Sequence, residues 1–237
     1  TFANVTPEVR HLLNDMFELA MMLRGRRFRL GALQMGIPEV AIDFDKDGAV
    51  VGAHTRHHDQ SHEIIEEFML AANVAVAGLL GSRGLPFLRR THGDPDEVKM
   101  RNFQSFCQGL GLTLKKPQDR KEIQNLIRSV EGTPEERAVN FALLRSMQQA
   151  VYSPEDTGHY ALAEEDYCHF TSPIRRYPDL TVHRLVGQIA AKRSPTPQPV
   201  SELIQLGKHC SITERRAEKA ERELIRIKML RYMSERI

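Results

Sequence analysis

Residues 171–179 read TSPIRRYPD: a hydroxyl residue before one proline, an arginine pair, a second proline and then an acid. Ser172 ahead of Pro173 has the form of a helix N-cap followed by proline at the first helical position, where a missing N–H costs nothing because it had no partner. Arg175 and Arg176 then fall in the first turn. Pro178 cannot donate to the carbonyl of Ile174, so the chain must either close a short turn and start a second helix or kink. Both geometries set two guanidinium groups beside free backbone N–H groups at a positive helix end. Dipole, donors and a planar bidentate cation all favour one ligand, a phosphate. A plainer reading pairs Arg175 with Asp179 at i+4 as a surface ion pair of little worth, with the prolines only shaping a turn. The residues alone leave both readings open.

Other constellations are weaker. His58, His62 and Glu66 stand at i, i+4 and i+8, a spacing that presents metal ligands on one helical face, but His58 falls in the loop before the helix and no fourth ligand follows. Glu66 and Glu67 could equally form the polar side of a buried helix. Glu214 stands three residues after Ser211, the form of a capping box. Tyr160, His169, Phe170 and Tyr177 could stack on bases, although core packing suits most of them better.

The elements that must position these groups follow from caps and periodicity. Thr6-Pro7-Glu8 opens a helix that carries Leu12, Met16, Leu19 and Leu23 on one face to about Arg26. Residues 38–54 alternate as a hairpin with Val40, Ile42 and Phe44 on one face and Asp47-Gly48 at the turn. Residues 62–80 read as a central, mostly buried helix, and residues 85–92 as a short strand. Asp94 is expected to cap a helix ending near Gly109, with further helices over residues 120–130 and 134–152. Residues 160–169 read as a strand, and helices return over 177–191 and from Val200 to the C-terminus. The proline-rich SPTPQPV between them is a surface loop.

Composition sets outer bounds. The 237 residues are 41% hydrophobic and 27% charged without a low-complexity tract, which argues against disordered, collagen-like and coiled-coil classes. A net charge of +2 permits an anionic partner without demanding one, so any anion site must be local. Cys107, Cys168 and Cys210 lie far apart with no CxxC pair, which fits a reducing compartment. The longest apolar run, near residues 68–80, is too short to span a bilayer, and a cytoplasmic protein is expected.

The longer run GHYALAEEDYCHFTSPIRRYPDLTVHRL, residues 158–185, resembles the signature of the ribonuclease II family catalytic domain, the RNB domain, in its ribonuclease R branch. HEIIEEFMLAAN resembles the family's central helix, LLRSMQQAVYSPEDTGHY its approach to the signature, and HCSITERRAEKAERE its closing helix. The resemblance implies an α+β fold, mostly helical, whose hairpin and short strands complete a mixed β-core. It implies a processive 3′ to 5′ hydrolytic exoribonuclease on single-stranded RNA, releasing nucleoside 5′-monophosphates with Mg2+ or Mn2+. Arg175 corresponds to the arginine holding the phosphate at the cleavage site, suited to a transition state with added charge on phosphorus oxygens. Glu66 matches an acid that contacts the terminal ribose, where accepting from a 2′-OH would tell RNA from DNA. Glu214 matches another acid near the 3′ nucleotide, and Ser172, Arg176 and Tyr177 are expected to contact substrate.

Two departures qualify the match. The family's metal-binding aspartates lie upstream of the part resembled, and Asp43, Asp45 and Asp47 do not match them; the OB-fold domains that feed RNA to the family's site are likewise expected outside residues 1–237. Residues 1–237 therefore read as the C-terminal two-thirds of an RNB domain, with metal bound outside the chain and no hydrolysis expected from the chain alone. Met35 stands near where many relatives carry a base-clamping phenylalanine. The expected partners are single-stranded RNA and RNA-decay machinery, with no membrane. The alternative is a noncatalytic RNA-binding or scaffold protein that keeps the anion-binding turn.

Overall fold

Thr6 caps the first helix through its hydroxyl, which accepts from the Val9 N–H at 3.4 Å, and the helix α1 (Pro7–Leu30) runs one turn further than its periodicity suggests. It stops at Gly31, which takes a left-handed conformation at φ 105° that a β-carbon would disfavour. In this computed structural model, residues 5–37, 40–56 and 58–234 are described. The start of the expected hairpin at Pro38 and Glu39, and the last three residues of the expected final helix, lie outside them.

Strands β1 (Val40–Phe44) and β2 (Val50–Thr55) form an antiparallel hairpin pairing Val40 with Thr55 and Asp43 with Gly52. Its turn is stitched by Asp45, whose Oδ1 accepts from Asp47 N and Ala49 N, while Gly48 supplies φ 79°. Asp59 caps α2 (Gln60–Gly81), accepting from the Ser61 and His62 N–H groups. A second ribbon pairs β3 (Arg89–Thr91) with β4 (Val151–Ser153). Between them lie α3 (Glu97–Gly109), α4 (Arg120–Val130) and α5 (Glu136–Ser146). A 3-10 turn (Tyr160–Leu162) leads to α6 (Tyr177–Ala190) and the long α7 (Val200–Ser234). The α+β class stands, helix-rich with two short antiparallel ribbons.

Two apolar clusters form the core. Met100, Phe103, Ile123, Leu126, Val139 and Leu143 knit α3, α4 and α5 into one. Ala77, Leu80, Phe87, Val182 and Leu185 join α2 to α6 in the other. α7 lies against β4 so closely that a β-carbon on Gly207 would stand 2.4 Å from the Tyr152 carbonyl oxygen, so only glycine fits.

Several expected elements differ. The cap of α3 is Asp96, accepting from Val98 N and Lys99 N, and not Asp94. The helix expected over 134–152 ends at Ser146, because residues 151–153 pair with β3 instead. The expected strand over 160–169 is the 3-10 turn, a left-handed Ala163 at φ 56° and irregular chain. α2 is less buried than expected: Ile65 and Met69 are 54% and 41% exposed, and the predicted α1 face leaves Leu12 and Leu19 in solvent. By length and composition α2 could cross a bilayer. Its buried Glu67 and Asn73 are bonded into the protein, which suits a core helix.

Candidate functional site

The arginine turn is not the opening of a helix. Ser172 O accepts from Arg175 N at 3.3 Å and Arg176 N at 3.1 Å, closing a turn, and α6 starts afresh at Tyr177 with Pro178 in its first positions. Of the two geometries the prolines allowed, the chain takes the short turn followed by a second helix, and Ser172 is not an N-cap. Asp179, in the first turn of α6 and fully buried, accepts on Oδ1 from Ser172 N at 2.8 Å and from Arg176 Nη2 at 2.7 Å. The acid at i+4 therefore takes Arg176 and not Arg175. Arg175 is exposed, and its guanidinium makes no hydrogen bond or salt bridge with the described residues. Ile174 beside it is 100% exposed, and Tyr177, 46% exposed, has the Arg184 guanidinium 5.9 Å from its ring centre.

The segment feeding this turn is pinned from α2. Asn73 accepts the Phe170 N–H on Oδ1 at 2.9 Å and donates to Tyr167 Oη at 3.0 Å. His183 of α6 stacks on Phe170 at 4.1 Å and 10°, with its Nε2 2.8 Å from the Phe170 carbonyl. These side-chain bonds replace a strand ladder, which is why residues 167–170 are irregular yet held.

Beneath the turn lies a floor of polar but uncharged rings. Tyr152 Oη and His169 Nδ1 share a hydrogen bond at 2.9 Å, and Tyr167 meets His169 and His159 edge-on at 5.9 and 5.3 Å. Burial, then the charges of Arg176, Arg90 and Arg175, pushes the His169 pKa down to about 3. Burial likewise takes His159 down to about 3 and Tyr152 up to about 12. All three are neutral near neutrality, and an imidazole so weakly basic is a poor general base. The chemistry available is charge stabilisation by arginine above an uncharged, weakly solvated floor.

Arg90, which the sequence did not single out, joins this site. Its guanidinium lies 4.5 Å over the Tyr152 ring and donates to Glu214 Oε2 at 2.7 Å. Glu214 thus sits at the site's edge, 38% exposed, with a cation already against it. Ser211 is not a cap for it: α7 is continuous there, and the Ser211 hydroxyl accepts from Tyr152 N and donates to Gly207 O. An RRT triplet opposite a helix acid 124 residues away gave no local signal.

Glu66 belongs to a different place. With Leu33, Met35, His58, His62 and Arg137 it lines a cleft of about 750 Å³ that does not include Arg175. Its carboxylate is loosely held, 3.5 Å from both Arg27 Nη2 and His58 Nε2. Glu67, by contrast, is buried in a tight pair with Arg27. Glu66 and Asn73 are seven residues apart on α2, so the two places share one helix face about 10 Å apart along its axis. Among the described residues no group of three His, Cys, Asp or Glu side chains could hold a metal, and those present do not fit a metal centre. Asp43 bonds His54 and Asp45 caps the hairpin turn.

Fold and site define a helix-rich α+β protein that gathers arginines over a neutral ring floor. Its family follows from sequence: residues 3–192 match the RNB domain, and the chain belongs to that family. Ribonuclease R of Aquifex aeolicus is 39% identical over 234 residues, 98% of this chain and 33% of that protein. Ribonuclease R of Mycoplasma genitalium, solved with ribose-methylated single-stranded RNA, superposes with a TM-score of 0.84 at 25% identity, covering 94% of this chain and 36% of that one. Yeast Ssd1, described as a pseudonuclease, shares the fold at TM-score 0.64 and 21% identity over 84% of this chain and 25% of its own. The chain spans about a third of the length of the ribonuclease R relatives.

Proposed function

We propose that this chain is part of an RNB-domain exoribonuclease that degrades single-stranded RNA processively from the 3′ end by hydrolysis, releasing nucleoside 5′-monophosphates. Arg175 holds the phosphate at the scissile bond. Glu66 accepts from the terminal ribose 2′-OH in the cleft it shares with Met35, and Tyr177 offers an exposed ring to a base. Glu214 acts from the edge of the site through Arg90, and Ser172 and Arg176 serve the same turn. Mg2+ or Mn2+ is supplied by carboxylates outside this chain.

The observation that carries the reading is a guanidinium left exposed and unpaired on a rigid turn, within the residues matched to the family. A free arginine so placed stabilises charge that grows on phosphate oxygens. The test is Arg175→Ala in the intact protein. Turnover of single-stranded RNA should fall on the order of 100-fold, as for loss of a charge-stabilising donor, with RNA affinity changed little. Unchanged turnover rejects the assignment.

A noncatalytic RNA-binding or scaffold role that keeps the arginine turn is the second reading. The intact protein would then bind RNA without shortening it in the presence of Mg2+ or Mn2+.

A further inference from the structure

We infer that Asp179 is a positioning residue for Arg175, an assignment that rests on the phosphate role proposed above. A single oxygen, Asp179 Oδ1, takes the N–H of Ser172 at the start of the turn and the guanidinium of Arg176 at its end. That carboxylate therefore closes the loop whose tip carries Ile174 and Arg175 into solvent. The two backbone bonds to Ser172 O shape the turn and reach no further than Arg176, the N-cap residue of α6. Asp179 reaches further, because it stands inside the helix.

Stability alone gives a poor account of this carboxylate. Asp179 is fully buried, its Oδ2 accepts no hydrogen bond from the described residues, and the neighbouring Arg176 Nε donates none. Burying a charged pair with atoms left over is weak as a stabilising device, and an apolar pair of similar shape commonly does as well. What the charge accomplishes is geometric. It draws Arg176 inward, so that of two adjacent guanidinium groups one is committed to the turn and the other is left free. It also fixes the direction in which the free one leaves the backbone. Arg176 and Ser172 thereby act on substrate through Arg175 and not by contact.

The test is a double-mutant cycle in the intact protein with single-stranded RNA. Asp179→Asn keeps the shape and removes the charge; it should lower kcat on the order of 100-fold, as a displacement of about 1 Å in a reacting group does, while KM stays nearly constant. Added to Arg175→Ala, it should lower kcat no further, since both changes remove the same interaction. Full turnover in Asp179→Asn, or a loss that multiplies in full with that of Arg175→Ala, overturns the inference while leaving the phosphate role intact. Full turnover in Arg175→Ala overturns both. Should Asp179→Asn fail to fold, Arg176→Gln, at a less buried position, decides by the same cycle: a kcat loss shared with Arg175→Ala upholds the inference, and independent or absent loss overturns it.

Discussion

Lowering the pH from about 7 to about 5 should destabilise the chain through two imidazoles that the fold keeps neutral. His159 and His169 have folded pKa values of about 3, against an ordinary histidine value of 6.5. Because the folded value is depressed, each histidine's contribution is present above its unfolded pKa and is lost as the pH falls below that value, when the unfolded chain takes up a proton that the folded one refuses. At about pH 5 the unfolded imidazole is protonated some thirty times over, which is worth about 2 kcal/mol per histidine, or roughly 4 kcal/mol for both. That is a large part of a typical domain's stability of about 5–15 kcal/mol. His92, lowered by burial, adds to the slope, while Glu164, raised by burial, opposes it towards the acid end. The assay is urea unfolding of the 237-residue chain across that range, which stays above the ordinary carboxylate region. His159→Gln and His169→Gln should each remove about half of the pH slope, and Gln at 169 retains a partner for Tyr152. A slope that is flat in the parent chain, or unchanged in both variants, refutes the reasoning.

Two further substitutions probe the packing. Gly207→Ala places a β-carbon 2.4 Å from the Tyr152 carbonyl oxygen, so α7 must move off β4; a loss of about 1–3 kcal/mol is expected from the urea midpoint. Glu67→Ala strands Arg27, 7% exposed, without its close partner, and should lower stability by about 3–5 kcal/mol in the same measurement.

Elements with local signals were legible. α4 has its expected bounds, and the structure shows a local cap for it in Asp119, which accepts from Lys121 N and Glu122 N. α6 was legible because Pro178 can stand only near a helix start. What failed depended on distant partners. β4 is three residues long and takes its conformation from β3, some 60 residues earlier. Residues 160–169 read as a strand, but the chain at their end is held by Asn73, whose bond to Phe170 spans 97 positions. At the site, the sequence left open whether Asp179 pairs with Arg175, and the acid pairs with Arg176. Spacing alone cannot say where the helix begins, and that start decides whether i+3 or i+4 meets. Arg90 and the ring floor went unseen because Tyr152, His169, Arg90 and Glu214 converge only in three dimensions. The exposure of α2 was missed because an apolar sequence reports what a helix prefers to touch, not whether this chain supplies it.

The helix α7 is a lever with a short grip and a long arm. It is gripped by Gly207, Ser211 and Glu214, which span about 10 Å of its axis against β4 and β3. Its far end reaches the hairpin, where Lys228 Nζ donates to Gly48 O and Tyr232 Oη to Val51 O. From Gly207 to Tyr232 the arm is about 37 Å, so a slip at one edge of the grip is magnified roughly three- to fourfold at the hairpin. The absent side chain of Gly207 thus sets the aim of a hairpin on the other side of the molecule.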